Sequence, residues 1–237
     1  MNIPNTQFVI NFEDNDLQKY TKQLLIQPNN NYDAAKLTEW LQESAKLEHD
    51  HLFKKIILLA VSNYCNNIEV PDIITLYSLL FPTADECYRS SGRVGVLKSY
   101  KQRFDRILEE YYNIGMESSE LDPHQLQQLV NYCYLIHDDN KIIINFICYL
   151  LYERIHPHHD GNGRMGRLLF IENAYQPWSY SLSKTLRKNH QASKLMDEIF
   201  AENNATTLDF HDYYTINVSI RMLENIVKLI NIAVNDN

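Results

Sequence analysis

Residues 141–155, KIIINFICYLLYERI, constrain the fold more than any other stretch of the chain. The segment is longer than a typical strand of about 5–6 residues. Its longest apolar run, Ile142 to Tyr152, is interrupted by Asn145 and falls far short of the roughly 20 residues a membrane span needs. The segment therefore predicts a buried helix, despite its β-branched content. Its surroundings read the same way. Asp122 is placed to cap a helix that has Pro123 at its first position, with Leu126, Leu129, Val130 and Cys133 recurring at helical spacing until His137-Asp138-Asp139-Asn140 closes it. Ile216, Ile220, Leu223, Val227 and Ile230 step by four and three, which predicts one face of a long C-terminal helix. Strand signals are sparse. The best is a short hairpin around Tyr88 to Leu97, broken by Ser90-Ser91-Gly92 and Gly95. The expected class is mainly α.

Charge and cysteine usage narrow the function. With 22 Lys+Arg against 30 Asp+Glu, the net charge of −8 argues against holding a nucleic acid by phosphate neutralisation. It leaves room for a small basic pocket. Cys65, Cys87, Cys133 and Cys148 are scattered and form no C-x-x-C pair, so they read as thiols of a reducing compartment. The N-terminal MNIPNTQFVINFEDND has no basic segment followed by an apolar one, so no secretory signal is expected. The expected location is the cytoplasm, without membrane or nucleic-acid partners; a host-delivered effector reads identically.

Three of the chain's 6 glycines fall in one hexapeptide, Gly161-Asn162-Gly163-Arg164-Met165-Gly166, just after the apolar helix. Glycines at a helix start let backbone N–H groups turn inward as an anion nest, reinforced by the helix's positive end. Arg164 and Arg167, three apart, project from neighbouring positions of the first turn. Two guanidinium groups beside such a nest make a polyphosphate site. Asp160 at the rim is placed to hold Mg²⁺, or Mn²⁺, against phosphate oxygens. His156 is the obvious general base for an attacking hydroxyl. Together these groups supply what phosphoryl or nucleotidyl transfer requires. The plain alternative is a turn whose arginines face solvent.

The stretch His156-Pro157-His158-His159-Asp160-Gly161-Asn162-Gly163-Arg164-Met165-Gly166-Arg167 resembles the signature loop of the Fic (Fido) family, H-x-F-x-[DE]-G-N-G-R-x-x-R. It matches every fixed position but one: His158 stands where the family has phenylalanine. A histidine fills that space only if its ring nitrogens find partners. The resemblance implies a Fic helical core with a short β-hairpin flap, over residues 70–190, flanked by an N-terminal helical region, 1–69, and a C-terminal helical extension, 191–237. It also implies transfer of AMP from ATP to a Tyr, Thr or Ser hydroxyl of a target protein, which includes the chain itself. By that likeness His156 deprotonates the acceptor, Asp160 binds Mg²⁺, and Gly161, Asn162 and Gly163 hold phosphates with Arg164 and Arg167 on the outer ones. The G-N-G-R reading favours the adenylylating branch over the phosphorylating and phosphocholinating ones.

Other segments carry secondary expectations. On a helix over Asp33 to His49, Glu48 falls on the apolar face of Leu37, Trp40, Leu41 and Ser44. Ser44-x-x-x-Glu48 resembles the family's inhibitory helix, which implies that Glu48 pairs with Arg167 and blocks productive docking of ATP; the alternative is a helix that frays before Glu48. Tyr88-Arg89 and the turn from Gly92 to Gly95 sit where the family carries its flap, or else form an ordinary surface hairpin. A braking glutamate also opens a de-AMPylase reading, and a nucleotide-binding regulator without useful turnover is the non-enzymatic rival. His137-Asp138 with the later histidines would suit a metal-dependent phosphohydrolase, but Asp139-Asn140 makes it read as a helix end.

Overall fold

A computed structural model describes residues 1–13, 16–25, 60–61, 63–65, 69–90, 96–103, 106–113, 116, 118–136, 138–172, 182, 184–210 and 213–236. The fold is mainly helical. In chain order it has strand β1 (Val9–Phe12), helix α1 (Leu17–Thr21), helix α2 (Ile73–Leu80) and a hairpin of β2 (Val96–Arg103) and β3 (Arg106–Asn113). Helices α3 (Pro123–Leu135), α4 (Lys141–Ile155) and α5 (Asn162–Gly166) follow, and α5 runs into a π-helical turn over Arg167–Glu172. Helix α6 (His190–Phe210), strand β4 (Thr215–Val218) and helix α7 (Ile220–Asn235) complete the order.

The apolar segment is the buried helix its composition predicts. In α4 every residue except Glu153 is buried. Helices α3, α5, α6 and α7 and the π-helical turn all pack against it. Asp122 caps α3 as expected, accepting from the N–H groups of His124 at 2.9 Å and Gln125 at 3.2 Å. Leu126, Leu129, Val130 and Cys133 turn inward. The core is continuous from Ile3, Phe8 and Ile10 near one end of the sequence to Leu229, Ile230 and Ala233 near the other. Among the described residues no helix is long and apolar enough to cross a membrane.

The C-terminal helix begins later than the periodicity predicts. Ile216 lies in β4, and the Ser219 hydroxyl accepts from Met222 N–H at 3.0 Å to start α7 at Ile220. Strand β4 pairs in parallel with β1, Val9 opposite Thr215 and Phe12 opposite Val218. The hairpin is also displaced. Its strands pair antiparallel from Val96 opposite Asn113 to Arg103 opposite Arg106, beyond the glycines rather than around them. Tyr88 and Arg89 precede the hairpin and belong to the floor of the site described next.

Candidate active site

The C-terminal end of α4 enters the glycine-rich loop through His156, which closes the helix in a left-handed conformation at φ 52. Such a backbone costs a non-glycine residue about 1–3 kcal/mol and persists only where surrounding contacts hold it. The imidazole is partly buried, and its Nδ1 has no hydrogen-bond partner. Burial lowers its pKa from 6.5 to about 4; the Glu153 carbonyl opposes the shift, Arg89 adds to it and Asp160 opposes it. At pH 7 the ring is therefore neutral and able to take a proton.

Two residues on, His158 is fully buried. Its Nδ1 lies 2.5 Å from the Cys87 carbonyl, which can only accept, so Nδ1 carries the proton. Nε2 then accepts from the Tyr152 hydroxyl at 2.5 Å. Both ring nitrogens are satisfied in the neutral form, and burial accordingly holds the pKa at about 4. Tyr77 and Tyr88 stack on the ring, with centroids at 4.4 Å and 5.7 Å. The histidine at the family's phenylalanine position thus keeps an aromatic anchor and adds two hydrogen bonds.

Asn162 closes the loop from the other side. Its Oδ1 accepts from His158 N–H at 2.9 Å and its Nδ2 donates to the His158 carbonyl at 2.8 Å. Its side chain therefore shapes the loop, and only its backbone N–H is left to meet a phosphate. The N–H groups of Asn162 and Gly163 open α5, where no carbonyl stands one turn earlier to accept them. Gly161 adopts φ 80, and a Cβ there would sit 2.1 Å from the Phe81 ring. Glycine is required at this position on both counts.

Asp160 is 81% exposed and Arg164 only 6%, yet they form an ion pair at 3.2 Å. Asp160 also accepts from Gly161 N–H at 2.7 Å. The Arg164 guanidinium lies 4.5 Å from the centre of the Phe81 ring, a cation–π contact. Arg167, also buried, begins the π-helical turn; such turns recur at functional sites. Gly166 lets this segment approach α4, since a Cβ would meet Glu153 Oε1 and the Tyr149 ring at 2.9 Å.

The structure therefore gathers His156, Asp160, Gly161, Asn162, Gly163, Arg164 and Arg167 within one turn between α4 and the π-helical segment. Asp160 fits a hard cation, because Mg²⁺ is usually held by one or two carboxylates together with substrate phosphates. Among the described residues no three His, Cys, Asp or Glu converge on a metal site of their own. Ser44, Glu48 and the helix expected over 33–49 lie outside the described residues, as does His137. Asp138 spends its carboxylate on the N–H of Asn140 at 2.9 Å, at the opposite end of α4 from His156.

A Fic/DOC family model matches residues 67–173, which span α2, the hairpin, α3, α4 and the whole loop. Over that stretch the chain is similar to Fic/DOC domains. A crystal structure of a Fic family protein from Desulfovibrio desulfuricans G20 shares the fold, with TM-score 0.53 and 19% sequence identity over 84% of this chain and 63% of that one. The present chain thus covers less than two thirds of that protein's length. No curated protein matches it. Around this loop the sequence reading missed Phe81 and Tyr77, and it placed Arg89 in a flap rather than on the carbonyls that end α4. No local pattern marks Tyr77, whose hydroxyl meets the Asp160 carbonyl 83 residues along the chain.

Proposed function

We propose that this Fic-domain chain is a Mg²⁺-dependent protein adenylyltransferase, moving AMP from ATP to a Tyr, Thr or Ser hydroxyl of a target protein. The observation that carries the reading is His156, held neutral by burial and fixed at the mouth of a glycine turn flanked by buried arginines. Fic domains generally transfer AMP or related groups to proteins.

In this reading His156 takes the proton of the acceptor hydroxyl. The acceptor oxygen bonds to the α-phosphorus, the bond to the bridging oxygen breaks, and pyrophosphate leaves. The N–H groups of Asn162 and Gly163 orient the phosphates, and Arg164 and Arg167 offset their charge. Asp160 would hold Mg²⁺, which supplies charge neutralisation on the phosphate oxygens. Arg164 must exchange its ion pair with Asp160 for phosphate when nucleotide binds. The proposal includes the brake: Glu48 opposite Arg167, with Ser44 on the same helix, holding the site below full activity. Its support is the sequence pattern and the burial of Arg167.

Intact-mass analysis after incubation with ATP and Mg²⁺ tests the reading on wild type, Glu48→Gly and His156→Ala. An added AMP that rises in Glu48→Gly and vanishes in His156→Ala is expected. A chain that binds no ATP at all refutes it.

A further inference from the structure

We infer that Arg89 is the positioning residue of His156, setting the backbone geometry that aims the imidazole. Arg89 is 3% exposed and lies in the segment leading into the hairpin. It binds three consecutive carbonyls where α4 ends. Nε donates to His156 O at 2.7 Å, Nη2 donates to Ile155 O at 3.3 Å, and the backbone N–H donates to Pro157 O at 3.0 Å. Nη2 also donates to Met116 O. The last carbonyls of a helix have no helical partner, and a cation there meets the negative end of the helix dipole.

The order of those carbonyls matters more than their number. The Ile155 carbonyl belongs to the peptide plane before the His156 Cα, and the His156 carbonyl to the plane after it. A planar guanidinium that holds both fixes φ and ψ of the residue between them. That residue sits at φ 52, which its own preference does not favour. Met116 N–H, bonded to the same Ile155 carbonyl at 3.1 Å, braces the assembly from the other side of the hairpin. These donors converge on the carbonyls of Ile155, His156 and Pro157, so the influence of Arg89 falls on the base. Lysine supplies the charge but not the fork.

The kinetic arm of the test rests on the adenylyl-transfer reading; the spectroscopic arm does not. In full-length protein, Arg89→Lys and Arg89→Met are expected to lower kcat about 10- to 100-fold, the scale of a misplaced catalytic group. KM for ATP should stay within about 2-fold. In parallel, imidazole nitrogen resonances assigned through His156→Ala are expected to move or broaden in both variants, while the Gly161 and Gly163 amide signals hold. His156 resonances that do not move overturn the inference, whether or not transfer is observed. A rise in ATP KM matching the loss in kcat, or collapse of the glycine signals in Arg89→Lys, also overturns it by showing general disruption of the loop. Arg89→Lys carries the decision if Arg89→Met does not fold. Wild type that transfers no AMP defeats the transfer reading alone, and the resonances still decide Arg89.

Discussion

His158 and Asp160 stand two residues apart in one loop and live in opposite surroundings. His158 is fully buried, with both ring nitrogens bonded and two tyrosines stacked on its faces. Asp160 is 81% exposed, its carboxylate shared between a guanidinium and a backbone N–H that are both replaceable by ligand. The contrast divides the labour of the loop. Its shape is fixed from below, by the side chains of His158, Asn162, Phe81 and Arg89, none of which need touch a substrate. Its chemistry is left to groups at the rim whose present contacts are weak enough to exchange.

If that division holds, the rim and the floor fail in different ways. His156→Ala is expected to reduce AMP transfer by about 100- to 10,000-fold, the usual contribution of a general base. Its ATP affinity, read by calorimetry, should stay within about 2-fold. A parallel loss of affinity would erase the separation. Gly161→Ala attacks the floor instead: overpacking against Phe81 and the left-handed backbone together cost about 3 kcal/mol or more in urea unfolding. Pairing it with Phe81→Leu should recover part of that loss.

His158→Phe installs the family residue but orphans the Tyr152 hydroxyl and the Cys87 carbonyl, for about 1–3 kcal/mol. Adding Tyr152→Phe should return some of it, and a double-mutant cycle measures how much. The same histidine gives a pH signature. Its folded pKa, like that of His156, is lowered to about 4 from 6.5, so the unfolded chain binds more protons between those values. Stability is then full above about pH 6.5 and declines as pH falls toward 4. Urea midpoints at pH 7 and pH 4.5 should differ in that direction, and by less in His158→Phe. Asp160→Asn is the smallest effect. Asp160 is largely solvated and Arg164 keeps its contact with the Phe81 ring, so the unfolding free energy should change by less than about 1 kcal/mol. A larger change would show that the rim is structural after all.

What the sequence made legible was local chemistry. Asp122-Pro123 announces α3, an apolar run of helical length announces α4, and the glycine cluster marks α5 with its cap at Gly161. Each signal lies within a few residues of the structure it specifies. The misses are contacts between distant segments. The β1–β4 pair joins Asn11 to Asn217 across 206 residues, in strands of four residues whose periodicity is too short to read. Ile216 kept helical spacing with Ile220 while belonging to a strand. The hairpin was expected at the glycines, where turns are easiest, and forms beyond them. His158 looked like a departure from pattern, because the Tyr152 hydroxyl and Cys87 carbonyl that accommodate it cannot be foreseen from its neighbours.

The β1–β4 pair sets a schedule for folding. Closing a loop of that length costs about 5 kcal/mol of chain entropy. More simply, β1 has no partner until residues 215–218 exist. At roughly 5–20 residues per second, a ribosome needs about 10–40 s to supply them. For that interval Phe8 and Ile10, both fully buried in the finished protein, must wait without the strand that covers them.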